Sequence, residues 1–410
     1  MASGKTPWRT ENWWVSHWNF HPEVTKEFNP PKKVIIHDIT MRDGEQEPGV
    51  VFNVDDKIRI AEKLAEIGVQ RIEGGMVAVS PEDREAVKQM VKRNLGAEIL
   101  AFCRAMVEDV KMAVDCGVNG VVIEIPGSEH GIRNRGKTVE WAQEQAIQST
   151  HYAHEQGLWV TFFTIDATRA EENFYFNFLD KVIKEGHCDG LAAVDTIGVL
   201  NPQGAFYYIK QVKERIDRPL EVHFHNNFGL AVANTIAGVL AGGEVIHTTI
   251  NGLGGSAGNC PMAETVMSLL CLYGIDTGLD YSKLKETTNL VAELSGRTIP
   301  PNRPIVGDQI YTTEIGLGAA SELAARATGA PRFQVPNPEF TGHAPGDVVM
   351  GKKAGNANVQ IWAEEMGIEL NVEEARAVLA QVKRKGGEVR RLLTRDEFRE
   401  ITEQVKITKS

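Results

Sequence analysis

The sequence predicts an α/β protein, a (β/α)8 TIM barrel with an N-terminal aromatic arm and a small, mostly α-helical C-terminal region. Short β-rich runs alternate with longer amphipathic stretches from residue 33 onward, and parallel strands need such crossover connections. Eight strand–helix units fit into roughly 240 residues, the size of this barrel. A doubly wound open sheet is the alternative, but no G-x-G-x-x-G motif follows the first strand.

The eight predicted strands are the segments richest in β-branched and aromatic residues. They are 33–40, 69–75, 97–104, 118–127, 159–168, 190–196, 220–226 and 244–252. The helical stretch after the first strand can be capped by Asn53, and the next one begins with Ser80 as the cap and Pro81 at its first position. We therefore expect the catalytic barrel to span residues 33–290.

Aromatic and loop-rich segments flank the predicted barrel. Residues 1–32 form the arm, whose large apolar side chains are Trp8, Trp13, Trp14, Trp18 and Phe20. We expect them to pack against the barrel or a partner subunit, and a lid over the active site is the alternative. Residues 291–410 hold a Pro-rich connection and a loop-rich tract. Helical stretches are predicted there around 313–327, 357–366 and 372–383.

Composition narrows the class of protein. Lys and Arg number 44 against 55 Asp and Glu, and the net charge of −11 argues against nucleic-acid and anionic-membrane partners. Five scattered cysteines without a C-x-x-C motif indicate a reducing compartment. The N-terminal segment lacks an apolar signal core, and the most apolar stretch, 229–243, is too short to span a bilayer. We expect a cytoplasmic protein.

Two histidines in the seventh predicted strand are the sharpest sign of a functional site. In His223-Phe224-His225 both imidazoles point to one face, because alternate strand residues share a face. Two imidazoles and a carboxylate form a divalent-metal site, and Asp43 after the first strand can supply the carboxylate once the barrel closes. The alternative is a pair of histidines that are satisfied or solvated without a metal.

Polar side chains also follow the other predicted strands, and barrel closure would bring them to one face. They are Arg42, Gln46, Glu73, Arg104, His130, Asp166 and Thr196, with the glycine-rich loop 251–259 after strand eight. Arg42 presents a fork of donors that suits a substrate carboxylate or a developing enolate oxygen. The alternative for Arg42 is a structural ion pair with Asp43. The loop either offers N–H groups to an anion or is a simple turn.

Three motifs at strand ends resemble those of the DRE-TIM metallolyases. They are MRDGEQEPGV after strand one, HFHNNFGLAVANTIAGVLAG after strand seven and NGLGGSAGNCPMAE after strand eight. Within that superfamily the chain is most similar to the Claisen-condensing branch, the 2-isopropylmalate, homocitrate and citramalate synthases. IEGGMVAVSPEDREAV, DATR and VDTIGVLNP support the resemblance, which covers most of residues 33–270.

The resemblance implies a reaction and a set of site residues. Asp43, His223, His225 and Asn259 would ligate a divalent cation, Mg²⁺, Mn²⁺ or Zn²⁺, and Arg42 would polarise a 2-oxo group or steady an enolate. The implied substrate contacts are Gln46, Glu73, Arg104, His130, Ile165, Thr196 and Ser256. The implied chemistry is attack of an acyl-CoA enolate, most simply that of acetyl-CoA, on a 2-oxo acid, followed by thioester hydrolysis.

Three departures from the family pattern concern the substrate pocket and the acyl-CoA half of the site. Ile165 stands where family members usually carry a glutamate, which suggests a less polar substrate side chain than that of 2-oxoglutarate. The segment 313–318, TEIGLG, lacks the histidine implicated in acetyl-CoA activation, and the later G-K-H-S-G reads GKKAG at 351–355. The candidates for the general acid or base are Glu314, Asp166, Tyr311 and His343, in that order.

We therefore expect a metal-dependent acyltransferase that joins an acyl-CoA to a 2-oxo acid. The first alternative is a lyase or aldolase running the reverse reaction on a 2-hydroxy acid or its CoA thioester; Ser256 in a lyase-like GLGG loop and the absent histidine favour it. The second is a non-catalytic relative that binds a metal and a dicarboxylate, against which the intact metal set argues. A homodimer or higher homo-oligomer is expected, because such barrels often dimerise.

Overall fold

The computed structural model describes residues 6–328 and 335–409. The described chain divides into two compact units. The first comprises residues 6–8 and 16–299, and the second comprises residues 9–15 together with 300–328 and 335–409. In this division the first unit ends at residue 299, within the Pro-rich connection, and residues 9–15 belong to the second unit.

The first unit is a closed barrel of eight parallel strands in sequential order, which confirms the predicted fold class. The strands are β1 (Ile35–Asp38), β2 (Arg71–Glu73), β3 (Glu98–Arg104), β4 (Gly120–Pro126), β5 (Trp159–Ile165), β6 (Gly190–Asp195), β7 (Leu220–Phe224) and β8 (Val245–Thr248). The pairing of β1 with β8 closes the barrel and sets His37 opposite His247. Every strand is shorter than or equal to its predicted segment, because the polar residues after it turn away from the sheet.

Helices follow the strands around the barrel. They are α1 (Pro22–Thr25), α2 (Val54–Ile67), α3 (Pro81–Arg93), α4 (Val107–Cys116), α5 (Glu129–Asn134), α6 (Val139–Glu155), α7 (Glu172–Glu185), α8 (Pro202–Arg215), α9 (Ala231–Leu240), α10 (Met262–Tyr273) and α11 (Leu284–Ser295). The predicted caps are present: Asn53 and Asp56 form a capping box on α2, and the Ser80 side chain accepts from the Asp83 N–H at the start of α3.

Side chains fill the barrel interior in layers. An apolar cluster consists of Leu100, Phe102, Val122, Phe163, Ala192 and Val194. A second group, which is polar and fully buried, includes His37, Glu221 and His247. Buried polar groups require hydrogen-bond partners, so the side chains of this group depend on one another for their conformation.

The second unit is a small helical unit around its own core. Its helices are α12 (Gly316–Thr328), α13 (Asn356–Glu365), α14 (Val372–Val389) and α15 (Arg395–Lys409), of which α15 has no counterpart in the predicted elements. Trp362 and Phe398 pack in the centre of this core with their rings 5.5 Å apart. The Asn337 N–H donates to the Asn12 carbonyl over 2.8 Å, and Trp13 packs on Phe340, which ties residues 9–15 to this unit.

Among the described residues, none of the helices has the length and apolar character needed to cross a bilayer.

Candidate metal centre at the barrel mouth

Asp43, His223 and His225 converge at the carboxyl ends of β1 and β7. Asp43 Oδ2 lies 3.4 Å from His223 Nε2, and Asp43 Oδ1 lies 3.8 Å from His225 Nε2. One ligand atom from each residue lies within 4.8 Å of the other two. Alternation along β7 turns both imidazoles inward, and barrel closure brings them to the carboxylate that follows β1.

Burial and charge set Asp43 and His223 in the protonation states that a cation requires. Burial would raise the pKa of Asp43, but the charge of Arg42 and the two histidines outweigh it and hold the pKa well below its usual range. Burial lowers the pKa of His223 well below its usual range, and Arg42 and neighbouring histidines add to the shift against the effect of Asp43. A carboxylate and a neutral imidazole are the forms that bind metals.

Asn259 brings an amide to the same place. An isolated antiparallel bridge pairs Asn259 with His225, and the Asn259 Nδ2 donates to the Leu253 carbonyl over 3.1 Å. That hydrogen bond fixes the orientation of the amide and leaves Oδ1 as the available acceptor. Gly254, at a φ of 154°, makes room for it, since a β-carbon there would lie 2.3 Å from Asn259 Nδ2.

The unsatisfied atoms of this cluster fit a bound cation. His223 Nε2 and Asn259 Oδ1 are buried without a hydrogen-bond partner in the described structure. Buried polar atoms of this kind are rare unless an ion, water or ligand satisfies them. Two imidazole nitrogens, a carboxylate and an amide oxygen form a donor set for a divalent metal.

Arg42 lies directly beside the metal centre. Its Nη1 donates to Asp43 Oδ2 over 2.7 Å, and its Nε donates to Glu73, which is fully buried. The guanidinium stacks over the Phe102 ring at 3.9 Å from the ring centre. Its Nη2 is buried and makes no hydrogen bond within the described residues, so one donor of the fork is available to a ligand.

A cleft of about 530 Å³ opens next to Arg42. Its lining consists of Met41, Arg42, Glu45, Gln46, Val51, Phe52, Asn53, Val54, Lys57, Met76, Val79, Ser80, Glu82 and Asp83. Gln46, which the resemblance places in the substrate site, lies on this cleft. The volume lies within the range of small-molecule pockets.

Asp166, which directly follows β5, already has three hydrogen-bonding neighbours, Arg169, His130 and Ser128. Arg169 donates to both of its oxygens over 2.7 and 2.9 Å, and His130 Nε2 lies 2.6 Å from Oδ2. Burial would raise the pKa of Asp166, but the hydrogen bonds from Arg169 and His130 lower it below its ordinary value. These contacts favour a role for Asp166 in orienting His130 over a role as a free base.

Four other predicted contacts end or follow strands at the same end of the barrel. The Thr196 hydroxyl accepts from the Asp166 N–H over 2.8 Å. Arg104 donates from Nε and Nη2 to both oxygens of Asp109, each over 2.8 Å, so its guanidinium is held in place. Ser256 is exposed, and its hydroxyl accepts from Asn227 over 2.9 Å. Ile165 is half-buried at the end of β5.

The remaining acid/base candidates, Glu314, Tyr311 and His343, lie in the second unit. Glu314 Oε1 accepts from the Lys353 N–H over 3.0 Å, and its Oε2 lies 3.8 Å from Lys353 Nζ. The Tyr311 and His343 side chains both contact the Thr341 hydroxyl, at 3.3 and 3.0 Å. Their catalytic roles remain predictions.

Two features of the interior are absent from the predicted site. Glu124 on β4 is buried; burial raises its pKa against the influence of Arg135 and Arg42. Glu221 and His247 hydrogen-bond to each other beside His223. Strand alternation could have indicated both, because Glu221 shares a face with His223 and Glu124 lies opposite Arg104 in the sheet.

Comparisons with known proteins identify the chain's relatives. The sequence profile of the HMGL-like family matches residues 33–291. Homocitrate synthase of Methanopyrus kandleri is 38% identical over 89% of this chain and 90% of that protein. The 2-isopropylmalate synthase 2 of Caldanaerobacter subterraneus is 36% identical over 92% and 97%. A putative (R)-citramalate synthase of Archaeoglobus fulgidus is 38% identical over 91% and 75%.

Solved structures share the barrel. Hydroxymethylglutaryl-CoA lyase from Pseudomonas aeruginosa superposes with a TM-score of 0.59 at 25% identity, over 66% of this chain and 95% of that one. The carboxyl transferase domain of Rhizobium etli pyruvate carboxylase gives a TM-score of 0.53 at 19% identity, over 64% and 47%. The second likeness, at this identity, speaks for the fold alone.

Proposed function

Because the chain belongs to the HMGL-like family, we propose that it is a divalent-metal-dependent acyltransferase that condenses an acyl-CoA with a 2-oxo acid. Acetyl-CoA is the proposed acyl donor, and the product is a 2-hydroxy-2-alkyl dicarboxylate. Relatives named as homocitrate, citramalate and isopropylmalate synthases support the reaction class. The observation on which the proposal rests most is the buried cluster of Asp43, His223 and His225.

We propose Asp43, His223, His225 and Asn259 as the residues that hold the metal. A bound dication withdraws charge from the 2-oxo group under attack. The ligand types fit Mg²⁺, Mn²⁺ and Zn²⁺, since carboxylate and amide oxygens suit the first two and imidazoles suit the third.

We propose that Arg42 stabilises charge at the reacting oxygen. Its Nη1 and Nε are held by Asp43 and Glu73, so the guanidinium cannot turn away from the metal centre. The remaining Nη2 would then donate to the 2-oxo oxygen, which gains negative charge during attack, or to the enolate oxygen that forms when the acyl-CoA is deprotonated. A donor that is already oriented before the reaction contributes most to such stabilisation.

We propose two alternative candidates for the residue that carries the proton: His130, which is paired with Asp166, and Glu314. His130 has 45% of its side chain exposed and lies 2.6 Å from a carboxylate, an arrangement that orients an imidazole. Glu314 accepts a backbone hydrogen bond on one oxygen. The pH–rate profiles of His130→Gln and Glu314→Gln separate the two, because only the loss of the true proton carrier removes a limb of the profile.

The 2-oxo acid would lie between the metal ligands and the ends of β5 and β6. The Thr196 hydroxyl accepts from the Asp166 N–H, so its own hydrogen is available to a substrate carboxylate. Ile165 provides an apolar contact for the substrate side chain, while Glu73, Arg104 and Ser256 shape the surrounding site. The cleft beside Arg42 and Gln46 provides room for the acyl thioester.

The experiment is thiol release from acetyl-CoA and longer acyl-CoAs against a panel of 2-oxo acids, with Mg²⁺ or Mn²⁺ and with chelator. Metal-dependent release with one 2-oxo acid supports the synthase and names its substrate. His223→Ala should abolish metal binding and activity together. Full activity of His223→Ala would refute the metal assignment.

The lyase or aldolase reaction is the second candidate. The GLGG loop at residues 252–255 favours it, and the synthases among the curated relatives weigh against it. If no 2-oxo acid in the panel gives thiol release, while 2-oxo acids still bind the metal-loaded protein, the lyase or aldolase reaction is favoured. Cleavage assays on 2-hydroxy acids would then test it.

We also propose a cytoplasmic homodimer. All five cysteines are buried and free, which suits a reducing compartment. Analytical ultracentrifugation measures the oligomeric state, and a monomer at micromolar concentration would contradict the dimer.

A further inference from the structure

A chain of three buried side chains leads from a carboxylate to one of the proposed metal ligands. Glu221 Oε2 lies 2.7 Å from His247 Nε2, and His247 Nδ1 lies 3.3 Å from His223 Nδ1. His223 turns its other nitrogen, Nε2, toward Asp43. None of the three side chains is more than 1% exposed. Water therefore cannot replace any of these contacts.

The direction of the hydrogen bonds follows from Glu221. Its other oxygen, Oε1, accepts from Arg71 Nη1 over 3.1 Å and from the Thr161 hydroxyl over 2.8 Å. Glu221 thus meets Arg71 and Thr161 as a carboxylate, and a carboxylate can only accept. His247 must therefore carry its hydrogen on Nε2 and donate it to Oε2.

The donor and acceptor roles of His247 then determine those of His223. In its neutral form His247 has a single N–H, which Glu221 accepts, so that form presents a lone pair on Nδ1. That lone pair accepts the hydrogen of His223 Nδ1. His223 Nε2 is then left with a lone pair facing Asp43, as a metal ligand requires.

The reverse arrangement is disfavoured at both ends. It would place the lone pair of His247 Nε2 opposite Glu221 Oε2, so that two acceptors would face each other in a fully buried site. It would also place a hydrogen on His223 Nε2, where the metal has to bind. A buried acceptor left without a donor costs about 1–3 kcal/mol, which is enough to select one tautomer.

We propose that Glu221 and His247 are positioning residues that hold His223 in its metal-binding tautomer and ring orientation. The inference rests on the metal site of the proposed function and adds two residues to it. A carboxylate–imidazole pair behind a ligating histidine also raises the basicity of that ligand. The path runs from β7 to β8 and back, so it depends on the pairing of these two strands.

Glu221 and His247 could instead belong to a second metal site together with His37, since one ligand atom of each lies within 4.8 Å of the others. Two contacts argue against a cation there. Arg71 already neutralises Glu221, and its positive charge would repel a metal. The carboxylate also has no free oxygen to offer a metal, because Oε1 accepts from Arg71 and Thr161 and Oε2 is in hydrogen-bond contact with His247.

The test is Glu221→Gln. The glutamine carbonyl can keep the hydrogen bonds from Arg71 and Thr161, while its amide nitrogen takes the place of Oε2. That nitrogen donates to His247 Nε2, which reverses both hydrogen bonds and moves the hydrogen of His223 to Nε2. We expect Mn²⁺ to bind the metal-free variant about 10–100-fold more weakly, measured by equilibrium dialysis or by the EPR signal of free Mn²⁺.

Thr161→Val is the matched control. It removes a hydrogen bond from the same carboxylate, but at Oε1 and away from the path to His223. We expect its Mn²⁺ affinity to stay within about twofold of wild type. An equal loss in Thr161→Val and Glu221→Gln would overturn the proposal, because the effect would then be general damage to the interior. Wild-type affinity in a folded Glu221→Gln would overturn it as well.

A second measurement needs no variant. ¹⁵N-histidine NMR of the metal-free wild-type protein should show His247 with its hydrogen on Nε2 and His223 with its hydrogen on Nδ1. The opposite tautomers would refute the proposal even if Glu221→Gln fails to fold. Failure of the wild-type protein itself to bind Mn²⁺ would instead refute the metal site of the proposed function.

Discussion

Gly254→Ala should displace Asn259 and weaken the metal centre, although no residue proposed to bind the metal is itself substituted. The new β-carbon would lie 2.3 Å from Asn259 Nδ2 and 3.2 Å from its Cγ. Ordinary contact requires about 3.5 Å, so the amide has to move by more than about 1 Å. The hydrogen bond from Nδ2 to the Leu253 carbonyl, 3.1 Å long, cannot survive that displacement.

The expected magnitudes follow from these contacts. A φ of 154° is one that alanine rarely adopts, and holding it there costs about 1–3 kcal/mol. Leaving the amide donor of Asn259 buried without a partner costs about 1–3 kcal/mol more. We therefore expect the free energy of unfolding to fall by about 2–6 kcal/mol, and Mn²⁺ affinity to fall about 10–100-fold as Oδ1 loses its fixed orientation.

Urea unfolding in chelator and Mn²⁺ titration of the metal-free protein measure the two effects separately. Gly255→Ala is the matched control, since a β-carbon there would meet only the Gln46 carbonyl at 3.9 Å. The control should retain wild-type affinity. Unchanged Mn²⁺ binding in Gly254→Ala would refute the assignment of Asn259 as a ligand, and equal effects in both variants would refute the steric argument.

Three further predictions concern the metal, the substrate and the fold. Asp43→Asn removes the proposed carboxylate ligand, and Mn²⁺ affinity in the same titration should fall at least about 100-fold, or ~2.7 kcal/mol; a loss below tenfold would contradict the assignment. Ile165→Glu should shift kcat/KM toward 2-oxo acids with polar side chains, and an unchanged ranking would remove Ile165 from the substrate pocket. Burial, opposed by hydrogen bonds from Thr40, raises the pKa of Asp38 to about 7, so this group lowers stability as pH rises from about 4 to 7. The free energy of unfolding of Asp38→Asn, measured with urea, should therefore rise relative to that of wild type between pH 5 and pH 8. A difference between the two free energies that stays constant over this range would refute the cost of burying a charged Asp38.

The barrel was predictable because its signals are local and repeated. The caps at Asn53 and Ser80, and the alternation of β-rich runs with amphipathic stretches, each depend on residues a few positions apart. The end of the barrel unit has no such local signal. Helix α11 runs to Ser295 within the first unit, and the Asn251 side chain donates to the Thr288 carbonyl of this helix over 3.0 Å.

The metal set could be predicted from strand alternation and the expected barrel. The surroundings of Asp166 could not, because its carboxylate is held by His130, which lies on the preceding β–α segment. A residue that looks like a free acid in the sequence thus becomes part of an ion pair. The same holds for Arg104, whose guanidinium is held by Asp109 from the next helix.

Local pattern alone therefore established the eight strands, the helix starts and the face on which His223 and His225 lie, because periodicity and capping act over a few residues. The closed fold determined which groups meet inside. Glu221 and His247 lie on different strands, and only their pairing across the β7–β8 seam sets a carboxylate behind the imidazole of His223. Such contacts depend on which strands pair and in what register, which the tertiary structure sets and local pattern does not encode.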